Sequence, residues 1–427
     1  MNIQQLYRFF QESNGVSTDT RTLKKGQLYF ALKGPNFNGN QLALTALEQG
    51  AHKVIVDEAI GVKDPRIIEV ADVLSALQQL ARYHRDQLDT VVIGITGTNG
   101  KTTSKELIFQ VLSSQYPTLA TQGNLNNHIG VPLTLLSITE DHDFAVIEMG
   151  ANHKGEIAEL CKISDPDFGL VTNVGRAHLE GFGSFENIIY TKKGLYEHVA
   201  DKNGVLFMNR NNAEVLGIPA YDRVIYFGTG DEDFCQGKML ASAPFVQAEV
   251  TTVEGTTRIS SQLVGGYNFD NIMAAVCIGS YFEVPLQKIA RAIADYTPSN
   301  NRSQYKKTVL NDLYLDAYNA NPSSMELSVG NFARLEVSPK HLILGDMFEL
   351  GHESQHYHSA LVEQVKETGI PCYFVGEHFM QVAEGSDRFF PDTQSLIAHL
   401  KTHPIEHHHI LIKGSRGVRL ETVAEIL

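Results

Sequence analysis

Short apolar runs recur along the chain, and most are followed by a longer stretch whose apolar positions are spaced three or four apart. The first pattern is that of a buried strand and the second that of an amphipathic helix. Their near-continuous alternation predicts an α/β protein with mostly parallel sheets, because parallel neighbours need a crossover between them. Residues 1–86 hold strand candidates at Gln27–Leu32 and Lys53–Asp57, and a helical stretch, Val73–Arg85, leads out of them. Residues 87–299 open with the run Thr90–Thr96 and continue with Phe144–Met149 and Phe168–Val174. Residues 241–266 differ: they alternate, are rich in Thr and Val and break at Glu254-Gly255, which predicts an antiparallel hairpin. The polar stretch Tyr296–Gln304 reads as a linker. Beyond it, residues 300–427 carry the runs LYLDAY, HLILGD, CYFVGE and HILIKG between helical segments, the rhythm of a small Rossmann-like domain. Three domains are therefore expected, in keeping with 427 residues at roughly 150 per domain.

Composition narrows the class. Apolar residues make up 43% and charged residues 20%, enough for several packed cores and against disorder. The formal charge of -14 excludes broad attraction to nucleic acid but leaves room for a local basic pocket. The start, MNIQQLYRFFQESNG, has neither the basic beginning nor the apolar core of a signal peptide. No apolar run approaches the ~20 residues that span a bilayer. Cys161, Cys235, Cys277 and Cys372 are dispersed and form no C-x-x-C pair, which argues against a disulfide framework or structural zinc. The expectation is a cytoplasmic protein without membrane insertion. His407, His408 and His409 are consecutive and alternate faces in a strand, so they do not read as a metal site. His352, His356 and His358 lack zinc spacing as well.

The strongest local signal is GITGTNGKTTSKE, residues 94–106, which follows an apolar run and precedes the helical stretch LIFQVLSS. Gly97 and Gly100 let backbone N–H groups converge on phosphate oxygens, and Thr98 and Asn99 complete the turn. Lys101 places an ammonium on the β- and γ-phosphates; Thr102 offers a hydroxyl to Mg2+, and Thr103 continues into the helix, whose N-terminus favours anions. The strict G-x-x-x-x-G-K-[ST] pattern is not met, because Ile95 stands where it requires glycine. Two readings follow, an ordinary strand-to-helix turn or a loop for ATP with Mg2+; the context favours the second.

TGTNGKTT resembles the phosphate loop of the Mur ligases and of folylpolyglutamate synthase. Further segments match the Mur pattern in order, several of them in the form typical of the D-alanyl-D-alanine-adding type. These are STDTR (17–21), GNLNNHIGVPLTLL (123–136), EMGANHKGEI (148–157), NVGRAHLEGFGSFENI (173–188), DAYNANPSSM (316–325), LGDMFELG (344–351) and KGSRG (413–417). The resemblance implies a UDP-substrate domain over 1–86, a central P-loop ATPase domain over 87–299 and a C-terminal Rossmann-like ligase domain over 300–427. It implies that ATP phosphorylates a carboxylate and that an amine displaces the phosphate. The substrates implied are UDP-N-acetylmuramoyl-tripeptide and D-alanyl-D-alanine.

The resemblance also implies roles for single residues. Glu148 and His178 correspond to Mg2+ ligands, although His178 taken alone reads first as a satisfied loop histidine. Lys192 corresponds to a lysine often carbamylated to help hold the metal; Lys193 beside it and Gly194, where Glu is common, leave a plain surface lysine as the other reading. Asn268 and Asn271 correspond to an adenine-contacting pair, and Asn268 also suits a helix start. Arg302 is implied at the ATP phosphates and Asp316 at the ribose. Asn127 is expected near substrate, and Asn319 and Asn321 read either as loop-shaping residues or as contacts to the second substrate. Ser354 and His358 share a helix face at i, i+4 and read either as substrate contacts or as a structural cap. Lys413, Ser415 and Arg416 follow a strand where α/β sheets present ligand loops, and the basic turn there reads either as a site for a carboxylate or as a solvated surface turn. Ser17, Thr18 and Arg21 match the uridine-diphosphate contacts. Lys33 opens KGPNFNGN, where the family often reads F-D-G-H and this chain has Phe37-Asn38-Gly39-Asn40. A different acceptor, a nucleotide-binding homologue without activity, or a small-molecule kinase are the competing functions; the kinase leaves the C-terminal matches unexplained.

Overall fold

The computed structural model describes residues 2–217, 221–298, 302–383 and 388–427. Three sheets carry the fold. The first is parallel, ordered Val16–Ser17, Leu28–Phe30, Lys53–Val56, Ile67–Glu69. The second has nine strands. Its parallel part includes, as neighbours, Thr118–Ala120, Phe144–Glu148, Val91–Thr96, Phe168–Val171 and Val205–Asn209, and it ends in the antiparallel hairpin Gln247–Thr252/Gly255–Ser260. The third has six strands, parallel except for Gln304–Lys307 against Asp312–Asp316.

Alternation along the central strands explains the layering. Val92, Ala145 and Ile147 enter one core, and Ile93, Ile95, Phe144 and Val146 the other. Both faces of a parallel sheet are covered in this way, which is why its strands read as unbroken apolar runs. The helix Lys101–Ser113 and the helix Asn268–Tyr281 pack together on one face. The helices Glu156–Ser164 and Phe185–Asp201 lie on the other.

The helix Val73–Arg85 starts where Asp72 accepts a hydrogen bond from the Ser75 N–H at 2.6 Å. It packs on the helices Gly130–Leu135 and Glu156–Ser164 of the central layer. Leu6, Leu28, Phe30 and Ile55 join the same core as Val131, Leu135 and Ile147, so the apolar interior runs across residue 86 without a break. The hairpin expected over 241–266 is present, with a further strand, Cys235–Ala241, paired to it. Of the stretch read as a linker, Gln304 opens a strand and residues 299–301 lie outside the described residues. Among the described residues no helix is long and apolar enough to cross a membrane.

What matters for function is where the parallel strands end. Val91–Thr96, Phe144–Glu148 and Phe168–Val171 are adjacent, and their C-terminal ends lead into the phosphate loop, Glu148 and the loop to His178. In the third sheet Asp312–Asp316 pairs with His409–Lys413, setting Asp316 opposite Lys413. The C-terminal edges of the two sheets meet across one cavity.

Candidate active site

The cavity holds about 830 Å³ and is lined from one side by Thr98 to Thr103, Asn127, Glu148, His178, Asn268 and Asn271, and from the other by Arg302, Asp316, Asn319, Lys413 and Arg416. Residues as far apart in the chain as Thr98 and Arg416 are thus brought to one space. The phosphate loop is held at both glycines. At Gly97 (φ 148°) a Cβ would stand 1.9 Å from Thr172 Oγ1, and at Gly100 (φ 79°) 2.5 Å from Asn271 Oδ1. Neither place admits a side chain, and both backbones favour glycine. Asn99 is tied at each end, its N–H donating to Asn173 Oδ1 at 2.9 Å and its carbonyl accepting from Thr172 Oγ1 at 2.6 Å.

Lys101, the first residue of its helix, arches back over the loop and donates from Nζ to the Gly97 and Thr98 carbonyls at 2.7 and 2.9 Å. Burial lowers its pKa; the Glu148 carboxylate opposes that shift and the Arg302 charge adds to it. Asn271 accepts from Ser104 Oγ at 3.0 Å and donates to Asn268 Oδ1 at 2.8 Å, while Asn268 donates to the Val264 carbonyl at 2.7 Å. Asn268 therefore begins the helix without capping it, and the pair ties the loop helix to the neighbouring helix Asn268–Tyr281.

Glu148 sits at the end of its strand with Oε1 accepting from Asn126 Nδ2 at 2.8 Å; Oε2 is buried and has no hydrogen-bond partner. A buried carboxylate oxygen left open is costly unless something cationic completes it. Among the described residues no group of three His, Cys, Asp or Glu forms a ready-made metal cage. One carboxylate with a threonine hydroxyl beside a phosphate loop is a donor set that suits Mg2+, which keeps waters and phosphate oxygens as its other ligands. His178 is in the left-handed region (φ 51°), and its Nδ1 pairs with the Glu349 carboxylate.

Lys192 is buried, and its pKa is pushed well below the ordinary lysine value, first by burial and then by the nearby Lys101 charge. Lys193 points elsewhere, donating to the Gly217 carbonyl at 3.1 Å. Their different surroundings separate two side chains that spacing alone cannot. On the opposite wall Lys413 donates to Asp316 Oδ2 at 2.6 Å and the Arg302 guanidinium lies 3.5 Å from the Tyr318 ring centroid, with Arg416 at 5.4 Å from the same ring. Tyr318, Asn126 and Glu349 were not singled out by sequence reasoning. All three lie inside segments that match the Mur pattern, but each acts on a partner elsewhere in the chain, which spacing does not show.

Asn321 caps the helix Pro322–Arg334 in a reciprocal capping box with Ser324 and donates to Asn99 Oδ1 at 2.8 Å. Asn127 accepts from the Ile129 and Gly130 N–H groups at 3.1 and 2.9 Å. Ser17 and Thr18 line a second cavity of about 1030 Å³ between the first segment and the central layer. Arg21 and Lys33 do not line it: Arg21 pairs with Asp19 at 2.6 Å, and Lys33 with Asp57 at 3.1 Å. In the F-N-G-N turn, Asn38 accepts from the Asn40 N–H at 3.0 Å and Asn40 donates to Asp57 at 2.8 Å, so the two amides hold the turn.

Ser354, His358 and Ser415 do not line the cavity. His358 is fully buried, with Nε2 accepting from the Met347 N–H at 3.1 Å and Nδ1 donating to the Ser354 carbonyl at 2.7 Å. Both nitrogens are taken by the framework, and burial lowers the ring's pKa. Ser415 accepts from the Phe348 N–H at 3.1 Å. Their hydrogen bonds hold the 346–358 turn. Loss of the ring strands a backbone N–H and opens a void, so His358→Ala should cost roughly 2–4 kcal/mol of stability. Denaturant unfolding reads this, with nucleotide affinity of the folded variant unchanged; a variant as stable as its parent contradicts the framework role.

Comparison with known proteins agrees with this geometry. The family model for the Mur ligase middle domain matches residues 95–279, and that for the Mur ligase, glutamate ligase domain, residues 301–416. The UDP-N-acetylmuramoyl-tripeptide--D-alanyl-D-alanine ligase of Bacillus subtilis (strain 168) is 34% identical, covering 97% of this chain and 93% of the relative. Its counterpart from Escherichia coli (strain K12) is 35% identical at the same coverage, 97% and 93%. A crystal structure of MurF from Acinetobacter baumannii superposes with a TM-score of 0.86 at 29% identity, covering 100% of this chain and 98% of that one. MurF ligase from Thermotoga maritima, in complex with ADP, gives 0.86 at 26%, with 98% and 97% covered. Similarity along nearly the whole length, joined to a glycine-held phosphate loop facing a basic wall, shows that this chain belongs to the Mur ligase family.

Proposed function

We propose that the protein is a cytoplasmic, ATP-dependent ligase that joins D-alanyl-D-alanine to UDP-N-acetylmuramoyl-tripeptide in peptidoglycan precursor synthesis. The observation that carries this reading is the single cavity in which Lys101 and the phosphate loop face Arg302, Asp316, Lys413 and Arg416. Two anions, a triphosphate and a carboxylate, must approach each other, and cations on both walls offset their repulsion. The tripeptide carboxylate attacks the γ-phosphorus, the bond to ADP breaks, and an acyl phosphate forms. The dipeptide amine then attacks the acyl carbon and sheds a proton; the C–O bond breaks and phosphate leaves with its electrons. The names of the relatives, which are ligases for this pair of substrates, support the choice.

On this reading residues 1–86 bind the UDP end through Ser17 and Thr18, residues 87–299 bind ATP, and residues 300–427 close the site. Thr102, Glu148 and His178, with Lys192 as a carbamate, hold Mg2+, which when bound neutralises charge on the transferring phosphoryl group. Asn268 and Asn271 stand at the adenine end, Arg302 at the phosphates and Asp316 at the ribose. The test is product stoichiometry: ADP, phosphate and the joined peptide should appear one for one, only with all three substrates present. ADP release without a new amide bond contradicts the proposal.

The environment of Lys192 supports carbamylation, since a neutral amine is the form that captures CO2. Lys192→Ala should lose most activity and regain part of it with acetate, whose carboxylate replaces the carbamate. Full activity without added acid would return Lys192 to a packing role.

A further inference from the structure

We propose that Glu349 is a positioning residue for His178, supplied across the cavity by the C-terminal segment. The inference rests on the reading of His178 as a metal-side ligand and goes beyond it. His178 follows the strand Phe168–Val171 of the nine-stranded sheet, whereas Glu349 follows Lys340–Gly345 of the six-stranded sheet. The Glu349 carboxylate pairs with His178 Nδ1, and the Glu349 carbonyl accepts from the Glu180 N–H at 3.2 Å. Two contacts, one from the side chain and one from the backbone, thus dock this turn on both sides of Leu179. Glu349 (φ 62°) and His178 (φ 51°) both lie in the left-handed region that non-glycine residues seldom adopt. Next to them Gly351 (φ 55°) lies over Glu180, where a Cβ would make ordinary van der Waals contact with the Glu180 side chain.

The chemical consequence follows from imidazole itself. A neutral ring has one N–H and one lone pair, and a carboxylate at Nδ1 fixes the proton there. Nε2 is then the lone-pair nitrogen, the form that can ligate a cation. Neither sheet alone supplies this arrangement. The histidine belongs to the nucleotide layer and the group that sets its tautomer to the C-terminal layer, so the ligand is complete only when the two layers meet. Two nearby contacts join the same layers: Asn321 to Asn99 at 2.8 Å, and the Arg176 N–H to Ser323 Oγ at 2.9 Å. Neither of these touches His178, which leaves Glu349 as the one that sets its proton.

The experiment measures Mn2+ affinity of the full-length protein saturated with ADP, reading free Mn2+ by electron paramagnetic resonance. Glu349→Ala should weaken Mn2+ binding about tenfold, at the lower end of the 10- to 100-fold typical of groups that orient metal ligands. Glu349→Gln should lose less, because its amide oxygen keeps a partial negative charge beside Nδ1. His178→Ala should weaken binding at least as much as Glu349→Ala, and the double variant no more than His178→Ala alone. Glu349 is half-exposed at the rim, so unfolding midpoints of its variants should stay near the parent's. Wild-type Mn2+ affinity in Glu349→Ala, with His178→Ala impaired, overturns this inference and leaves the metal reading standing. Losses that multiply in the double variant overturn it as well, since a contact that only fastens the layers acts independently of the ring. Wild-type affinity in His178→Ala overturns both readings.

Discussion

Lys101→Ala reduces turnover by at least about 10²–10³-fold, the loss typical of removing one preorganised group that stabilises transition-state charge. The structure places this ammonium where few groups can substitute for it. Nζ sits over the loop on the Gly97 and Thr98 carbonyls, inside the cavity, with Glu148 and Arg302 as its charged neighbours. Arg302 belongs to the opposite wall and cannot take its place, because a guanidinium stacked on Tyr318 is held there. The fold should survive, since the helix Lys101–Ser113 is anchored by Leu107, Ile108, Val111 and Leu112 in the core. Phosphate release at saturating substrates, read beside the unfolding midpoint, checks both halves. A well-folded variant turning over near the parental rate removes the loop from the chemistry.

Much of this site was legible because local physics repeats itself in the sequence. The helix Val73–Arg85 shows its apolar spacing, and Val91–Thr96 shows the unbroken apolar run of a strand covered on both faces. Gly97 and Gly100 were readable because only glycine meets what a close-packed phosphate loop asks of its backbone. Burial and long-range pairing are written nowhere in that code. Ser354 and His358 share a helix face, and the same spacing serves a ligand contact or, as here, a ring bonded wholly to its own framework. Asn126 orients Glu148, Glu349 meets His178 and Tyr318 stacks with Arg302; each pair is decided by packing that joins distant segments. The core that runs past residue 86 escaped for the same reason, because the first segment's strands share their interior with the central layer.

D-Alanine alone should be a very poor acceptor compared with D-alanyl-D-alanine. The phosphate loop cannot make this distinction, because every acceptor passes through the same acyl phosphate. On the proposed reading discrimination should fall to the C-terminal wall, where Asn319, Lys413 and Arg416 line the cavity. A pocket built for a peptide bond and a carboxylate one residue further on leaves polar groups unpaired when the acceptor is one residue short. Each such group costs roughly 1–3 kcal/mol, so two give a factor between tens and many thousands. The most direct measurement is phosphate release with saturating ATP and UDP-tripeptide across a panel of acceptors, with the product's mass determined. Rapid release and a UDP-linked pentapeptide are expected with D-alanyl-D-alanine, and release at least tens-fold slower with D-alanine, L-lysine, meso-diaminopimelate or L-glutamate. Efficient ligation of a single amino acid to a UDP-dipeptide would contradict this reading.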